Sequence, residues 1–163
     1  GDELPLPGKT IYDGAMPSGT SMMVEDLLLL FRVSGETAFR DAALRTVRAH
    51  RSEIEAAPTG CTQVISAVTN FIEGKAFELI IVGEGEEAVR MMHLLENRYL
   101  PHALVLRKTE RTAGALSRIA PHTVHQLPDA KTGAAAYLCR EFTCSRPVSA
   151  AGELADLLDG FGV

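Results

Sequence analysis

The hydrophobic pattern of this chain changes period once, and the change divides it. From Ser18 the apolar positions recur at helical spacing: Met23, Leu27, Leu30 and Phe31 fall at i, i+4, i+7 and i+8, with Ser18 as the N-cap. Met22, Val24, Leu28 and Leu29 make the other faces apolar as well, so this helix is expected to be surrounded by other helices. Ser34-Gly35 stops it. A second helix over 37–56 turns Phe39, Ala43, Val47, His50 and Ile54 inward, and Pro58 ends it. A third starts at Thr59-Gly60 or at Thr62, carries Val64, Val68 and Phe71 on one side, and closes at Gly74.

At Lys75 the period becomes that of a strand. Residues 77–82 form a short β-branched run that enters a turn at Gly83. A helix over 86–98, with Val89, Met92 and Leu95 inward, leads past Pro101 to a second strand over 103–106. A shorter helix over 113–120, a strand over 123–127, a strand over 134–139 and a last helix over 150–158 complete the pattern. The expected architecture is α/β. A helical segment, 1–75, precedes a small α/β domain, 76–163, with a Rossmann-like, mostly parallel sheet of three to four strands flanked by helices.

Composition narrows the function classes. Hydrophobic residues at 46% and charged residues at 23% describe a folded globular chain. A net charge of −5 gives no general positive field to attract a phosphate backbone, so nucleic acid is not an expected partner. The longest apolar run near the start, 27–31, is far short of the roughly 20 residues that span a bilayer, and no membrane partner is expected. The opening residues 1–9, with Asp2, Glu3, Pro5, Pro7 and Gly8, do not follow the plan of a signal peptide. Cys61, Cys139 and Cys144 cannot all pair within the chain. Three free thiols in a reducing cytoplasm are the expected state.

Two segments carry a resemblance. Asp13-Gly14-Ala15-Met16-Pro17-Ser18-Gly19-Thr20-Ser21 stands near the start, and Ala136-Tyr137-Leu138-Cys139-Arg140-Glu141-Phe142-Thr143-Cys144, followed by Pro147, near the end. With Tyr99-Leu100-Pro101-His102-Ala103 between them, they resemble the C-terminal third of the spermatogenesis-associated, thioredoxin-domain-containing family. The resemblance implies a parent of three parts: a thioredoxin-like domain, a helical toroid similar to six-hairpin glycosidases and sugar epimerases, and an α/β appendix. The first three helices would then be the last helices of an α/α toroid, with the upstream toroid and thioredoxin-like domains as partners. Thr20 departs from the family motif, which usually has Asn there.

Four groupings are candidates for chemistry. Gly83-Glu84-Gly85-Glu86-Glu87-Ala88 matches a dinucleotide fingerprint in form, but its carboxylates would repel a pyrophosphate at that helix N-terminus, and Arg107-Lys108 replaces the acidic ribose partner. Cys139 and Cys144, as C-x4-C, have neither the redox C-x-x-C spacing nor that of a zinc knuckle; a redox pair is one reading and ordinary thiols the other. His122 and His125 could add ligands, but on an extended segment they point to different faces, so neither metal nor cofactor is expected. Asp13 before Gly14 is a turn former, and the toroid resemblance implies a second role. There Asp13 and Ser18 would sit on the rim of a carbohydrate-binding cavity of the parent, Asp13 doing acid-base work. The alternative is a structural or protein-interaction module with no catalysis of its own, whose α/β surface docks the thioredoxin-like domain or another protein. A helical piece that lacks its toroid neighbours would expose apolar surface, and the isolated chain is then expected to self-associate.

Overall fold

The computed structural model describes residues 10–74 and 76–161; residues 1–9 lie outside them. The chain divides into a helical unit, up to Phe31 and again over Glu36–Ile72, and a sheet unit, Arg32–Gly35 and from Glu73 onward.

The helical unit contains α1 (Gly19–Ser34), α2 (Thr37–Ala49), α3 (Arg51–Ala56), a 3-10 turn (Pro58–Gly60) and α4 (Thr62–Ile72). The helix expected over 37–56 is two helices, broken at His50, where ψ reaches 13°. The core gathers Ile11, Val24, Leu28, Ala43, Cys61 and Val64, with Val47, Ile54, Val68 and Phe71 packed beside it. This corrects the face assigned to α1. Val24 and Leu28 are buried, whereas Met23 and Leu30 are 45% and 44% exposed. With apolar residues all round the helix, its pattern holds too little contrast to fix which stripe turns inward.

The sheet unit contains β1 (Phe77–Gly83), α5 (Glu86–Glu96), β2 (Ala103–Lys108), α6 (Glu110–Ile119), a 3-10 turn (Pro121–Thr123), β3 (Ala134–Arg140), β4 (Thr143–Cys144) and α7 (Ala151–Phe161). The strand order is β2-β1-β3-β4. β1 pairs in parallel with β2, but antiparallel with β3, which pairs antiparallel with β4. The mostly parallel, Rossmann-like sheet is therefore corrected to a mixed, mostly antiparallel one. Phe77, Leu79 and Ile81 face one core with Met91, Leu138, Leu154 and Leu158; Ile80 and Val82 face a smaller one with Cys139. On α5 the buried positions are Ala88, Met91 and Leu95, and Val89 is exposed.

The reversal of β3 has a visible cause. No strand forms over 123–127. The segment bends through the 3-10 turn with Thr123 and Gln126 buried, and Lys108, at the end of β2, donates to the carbonyls of Thr123 (2.6 Å), Val124 (3.0 Å) and Gln126 (2.8 Å). Asp129 then turns the chain, its Oδ1 accepting from Lys131 N (2.8 Å) and Thr132 N (3.1 Å). The chain thus enters β3 at the end where β1 and β2 finish, and must run back along β1. Gly83 makes this approach possible: its φ is +107°, and a Cβ there would collide with the Gly133 carbonyl.

Candidate functional site

Asp13 ties the helical unit together through its backbone contacts. Its Oδ1 accepts from Ser18 N and its Oδ2 from Gln63 N, both at 2.8 Å, while its own N–H donates to Gly60 O at 2.6 Å. These donors lie at the starts of α1 and α4, where helices leave N–H groups without internal partners and where negative charge is favoured. Burial acts to raise the carboxyl pKa, but the bonds from Ser18 and Gln63 outweigh it and hold the group below its ordinary 3.8. Asp13 is therefore an anion at neutral pH with both oxygens engaged. That suits a helix tie better than a general acid, which must carry a proton.

Ser18 caps α1 as its position in the sequence predicts: Ser21 N donates to its Oγ at 3.0 Å, and its hydroxyl donates to Ser21 Oγ at 2.9 Å. One neighbour escaped the sequence reading. Gln63 Nε2 donates to Glu25 Oε2 at 2.6 Å, so a second carboxylate is linked to the residue that Asp13 holds. Residues 38 positions apart leave no mark in local spacing.

The second assembly lies in the sheet unit. Cys139 and Cys144 are joined by a disulfide, with Cα atoms 3.9 Å apart, which corrects the expectation of three free thiols; Cys61 is free and buried. They stand opposite each other in the β3–β4 ladder, and Arg140 and Thr143 close a hairpin with Glu141 and Phe142 at its tip. Both tip residues have positive φ, 49° and 62°, the conformation that favours Asn and Gly in such turns. Phe142 stacks edge-on with His122 at 5.4 Å between ring centroids, and Gln126 Nε2 donates to Cys144 Sγ at 3.4 Å. Burial lowers the pKa of His122.

The fingerprint-like segment after β1 is a strand-to-helix turn. Glu86 and Glu87 pair with Arg90, and Glu87 Oε1 also accepts from Ala151 N at 2.6 Å, at the start of α7. That backbone bond, with Arg90, holds the Glu87 carboxyl below its ordinary range. Lys108 is engaged by three carbonyls. A groove of about 890 Å³ runs past Tyr137, Arg146 and Leu157, but its carboxylates serve the backbone, Asp129 as described and Glu153 accepting from Ser149 N (2.9 Å). Among the described residues no three His, Cys, Asp or Glu side chains cluster as a metal would require, and no helix is long and apolar enough to cross a membrane.

Comparison with known proteins gives one consistent answer. The chain is 25% identical over 162 residues to human spermatogenesis-associated protein 20, and 23% identical over 160 residues to the rat protein, in each case over 97% of this chain and 20% of the relative. An uncharacterized protein of Caenorhabditis elegans is 25% identical over 150 residues, 91% of this chain and 20% of its own length. The chain thus matches a region of that family and spans about a fifth of the length of these curated relatives. No family model matches it, and no solved structure does.

Proposed function

We propose that this chain works as a structural and interaction module of a longer protein, similar to spermatogenesis-associated protein 20, and has no catalytic site of its own. The observation that carries the reading is the apolar stripe on α1. Met22, Met23 and Leu29, at i, i+1 and i+7 on one side of the helix, are 39%, 45% and 42% exposed. Such a stripe fits another helix better than water. Its occupant in this proposal is a preceding helix of the parent chain, because the match covers only 20% of each relative and leaves ample length to supply one. The helical unit then closes an α/α toroid, the sheet unit docks the thioredoxin-like part, and the whole works in the cytoplasm.

Light scattering tests this directly. The isolated chain should self-associate through the stripe, and Leu29→Glu should return it to a monomer with its fold intact. A wild-type chain that is already monomeric at high concentration would remove the proposal.

A second reading has its own observation, the link from Asp13 through Gln63 to Glu25. In it the parent binds a carbohydrate-like ligand at a rim that includes Asp13 and Ser18. Thermal shifts of the longer parent protein against a panel of sugars decide it. A shift abolished by Asp13→Asn supports the reading, and no shift with any sugar ends it.

A further inference from the structure

We infer that the Cys139–Cys144 bond is an exchangeable disulfide, opened by a dithiol reductant and closed again by its oxidised form, with the Gln126 amide reading which state the pair is in. Three features of the hairpin converge on this.

The first is a concentration of unmet polar groups. Among the described residues the buried side-chain atoms without a partner are Gln126 Oε1 and the two ring nitrogens of His122. Both side chains touch this hairpin, one at Cys144 Sγ and the other at the Phe142 ring. Native interiors rarely leave such atoms unpaired, and a redox role is among the reasons that several can stand together. In the disulfide state Cys144 has no hydrogen to give, so Gln126 can only donate to it and its carbonyl stays empty. In the dithiol state Cys144 carries an S–H, and a half-turn of the amide lets Oε1 accept it. The amide thus turns its Nε2 to Sγ in one state and its Oε1 in the other.

The second feature is the hairpin's own economy. The bond closes a sequence separation of only 5, so its constraint on the unfolded chain is small compared with that of a long loop. Ser145 N donates to Leu138 O at 2.8 Å, and since ladder pairs alternate, Cys139 and Cys144 occupy the non-hydrogen-bonded position. Opening the bond there breaks no backbone pairing. The third feature is asymmetric access. Cys139 is fully buried beside Ile80 and Val82, whereas Cys144 is half-buried.

Access sets the order of events. A thiolate of the reductant attacks Cys144 Sγ, the Cys139–Cys144 bond breaks, and Cys139 leaves with the electron pair and takes a proton from solvent. The second thiol of the reductant, as thiolate, then attacks its own sulfur in the mixed disulfide. Cys144 is released and protonated, and the reductant departs as a disulfide, so two electrons and two protons have moved to the protein. If the protein works in a reducing compartment, a pair of this kind is expected to be transient.

The test is thiol accounting by mass on the whole chain, with iodoacetamide as the label and dithiothreitol as the reductant. Before reduction, labelling in denaturant should reach Cys61 alone. After dithiothreitol in native buffer, Cys139 and Cys144 should both label with the far-ultraviolet circular dichroism unchanged, and oxidised dithiothreitol should restore the starting pattern. Labelling of the pair before any reductant overturns the inference, as does reduction that waits for unfolding by urea. For the amide, the side-chain NH2 resonances of Gln126 in isotope-labelled protein should shift between the disulfide and dithiol states as the amide turns. Resonances that stay in place remove Gln126 from the mechanism.

Discussion

The two units bury their apolar residues by different means. In the sheet unit β1 is covered on both faces, and Phe77, Leu79, Ile80 and Ile81 are each completely buried. Its buried carboxylate Glu78 meets Arg32 at 2.9 Å, and the same guanidinium donates to the carbonyls of Phe77 (2.8 Å) and His102 (3.0 Å). The helical unit has a smaller core, and Asp13 links the starts of α1 and α4 by bonds to the backbone. One unit is held by packing around a strand, the other by a side-chain tie around a smaller core, with an apolar stripe of α1 left exposed. Packing of the first kind is self-sufficient. The second kind leaves apolar helix surface facing water.

The contrast can be broken at several points. The largest effects belong to the sheet unit: Phe77→Ala should cost about 3–5 kcal/mol in urea unfolding. Arg32→Ala should cost a similar amount, about 3–5 kcal/mol, because it strands Glu78, whose side chain is 7% exposed. A loss below 1 kcal/mol in both would mean that this unit is no more self-sufficient than its neighbour. Gly83→Ala should cost more than about 2 kcal/mol, since a left-handed conformation and the Gly133 carbonyl both oppose a Cβ. Asp13→Ala should cost about 1–3 kcal/mol by leaving two helix-start N–H groups without an acceptor, and should be felt in the helical unit's amide exchange. Leu29→Glu should change stability by no more than about 0.5 kcal/mol, its effect falling on self-association.

Acidity separates Asp13 from Glu78 by sign. Asp13 is held below its ordinary 3.8, so the stability it contributes is complete above that value and is lost as pH falls through the lower folded one. Glu78 behaves oppositely: burial, only partly offset by Arg32, raises its carboxyl above the ordinary 4.5. Stability linked to its protonated form is present below 4.5 and lost as pH rises through the higher folded value. Stability curves of Asp13→Asn and Glu78→Gln, each subtracted from wild type, should therefore slope in opposite directions. Parallel slopes would refute one of the two assignments.

Much of this fold can be read from the amino acids, and the parts that cannot share a cause. The run at 77–82 is apolar, partly β-branched and bounded by Gly83, so its strand is legible. The direction of β3 is not, because an apolar run has no arrow. It is set by Lys108 gripping three carbonyls of a segment whose buried residues, Thr123 and Gln126, stand at a turn-like spacing of three. The β3–β4 hairpin is hidden for a related reason. Glu141-Phe142 lacks the Asn or Gly that announces a two-residue turn, so C-x4-C does not read as two facing cysteines. At Asp13 the turn-forming character is legible, but the partner at Gln63 is not.

The order β2-β1-β3-β4 also sets a timetable for synthesis. β1 leaves the ribosome well before either of its neighbours, and β2 reaches it first, closing the rung between Phe77 and Ala103 across a single helix. The opposite edge, whose first rung joins Gly83 to Ala134, waits until β2, α6 and the whole gripped segment have emerged. During that interval the most apolar of the described strands presents an unpaired edge to its surroundings. An unpaired strand edge of this kind is where a nascent chain is open to misassembly.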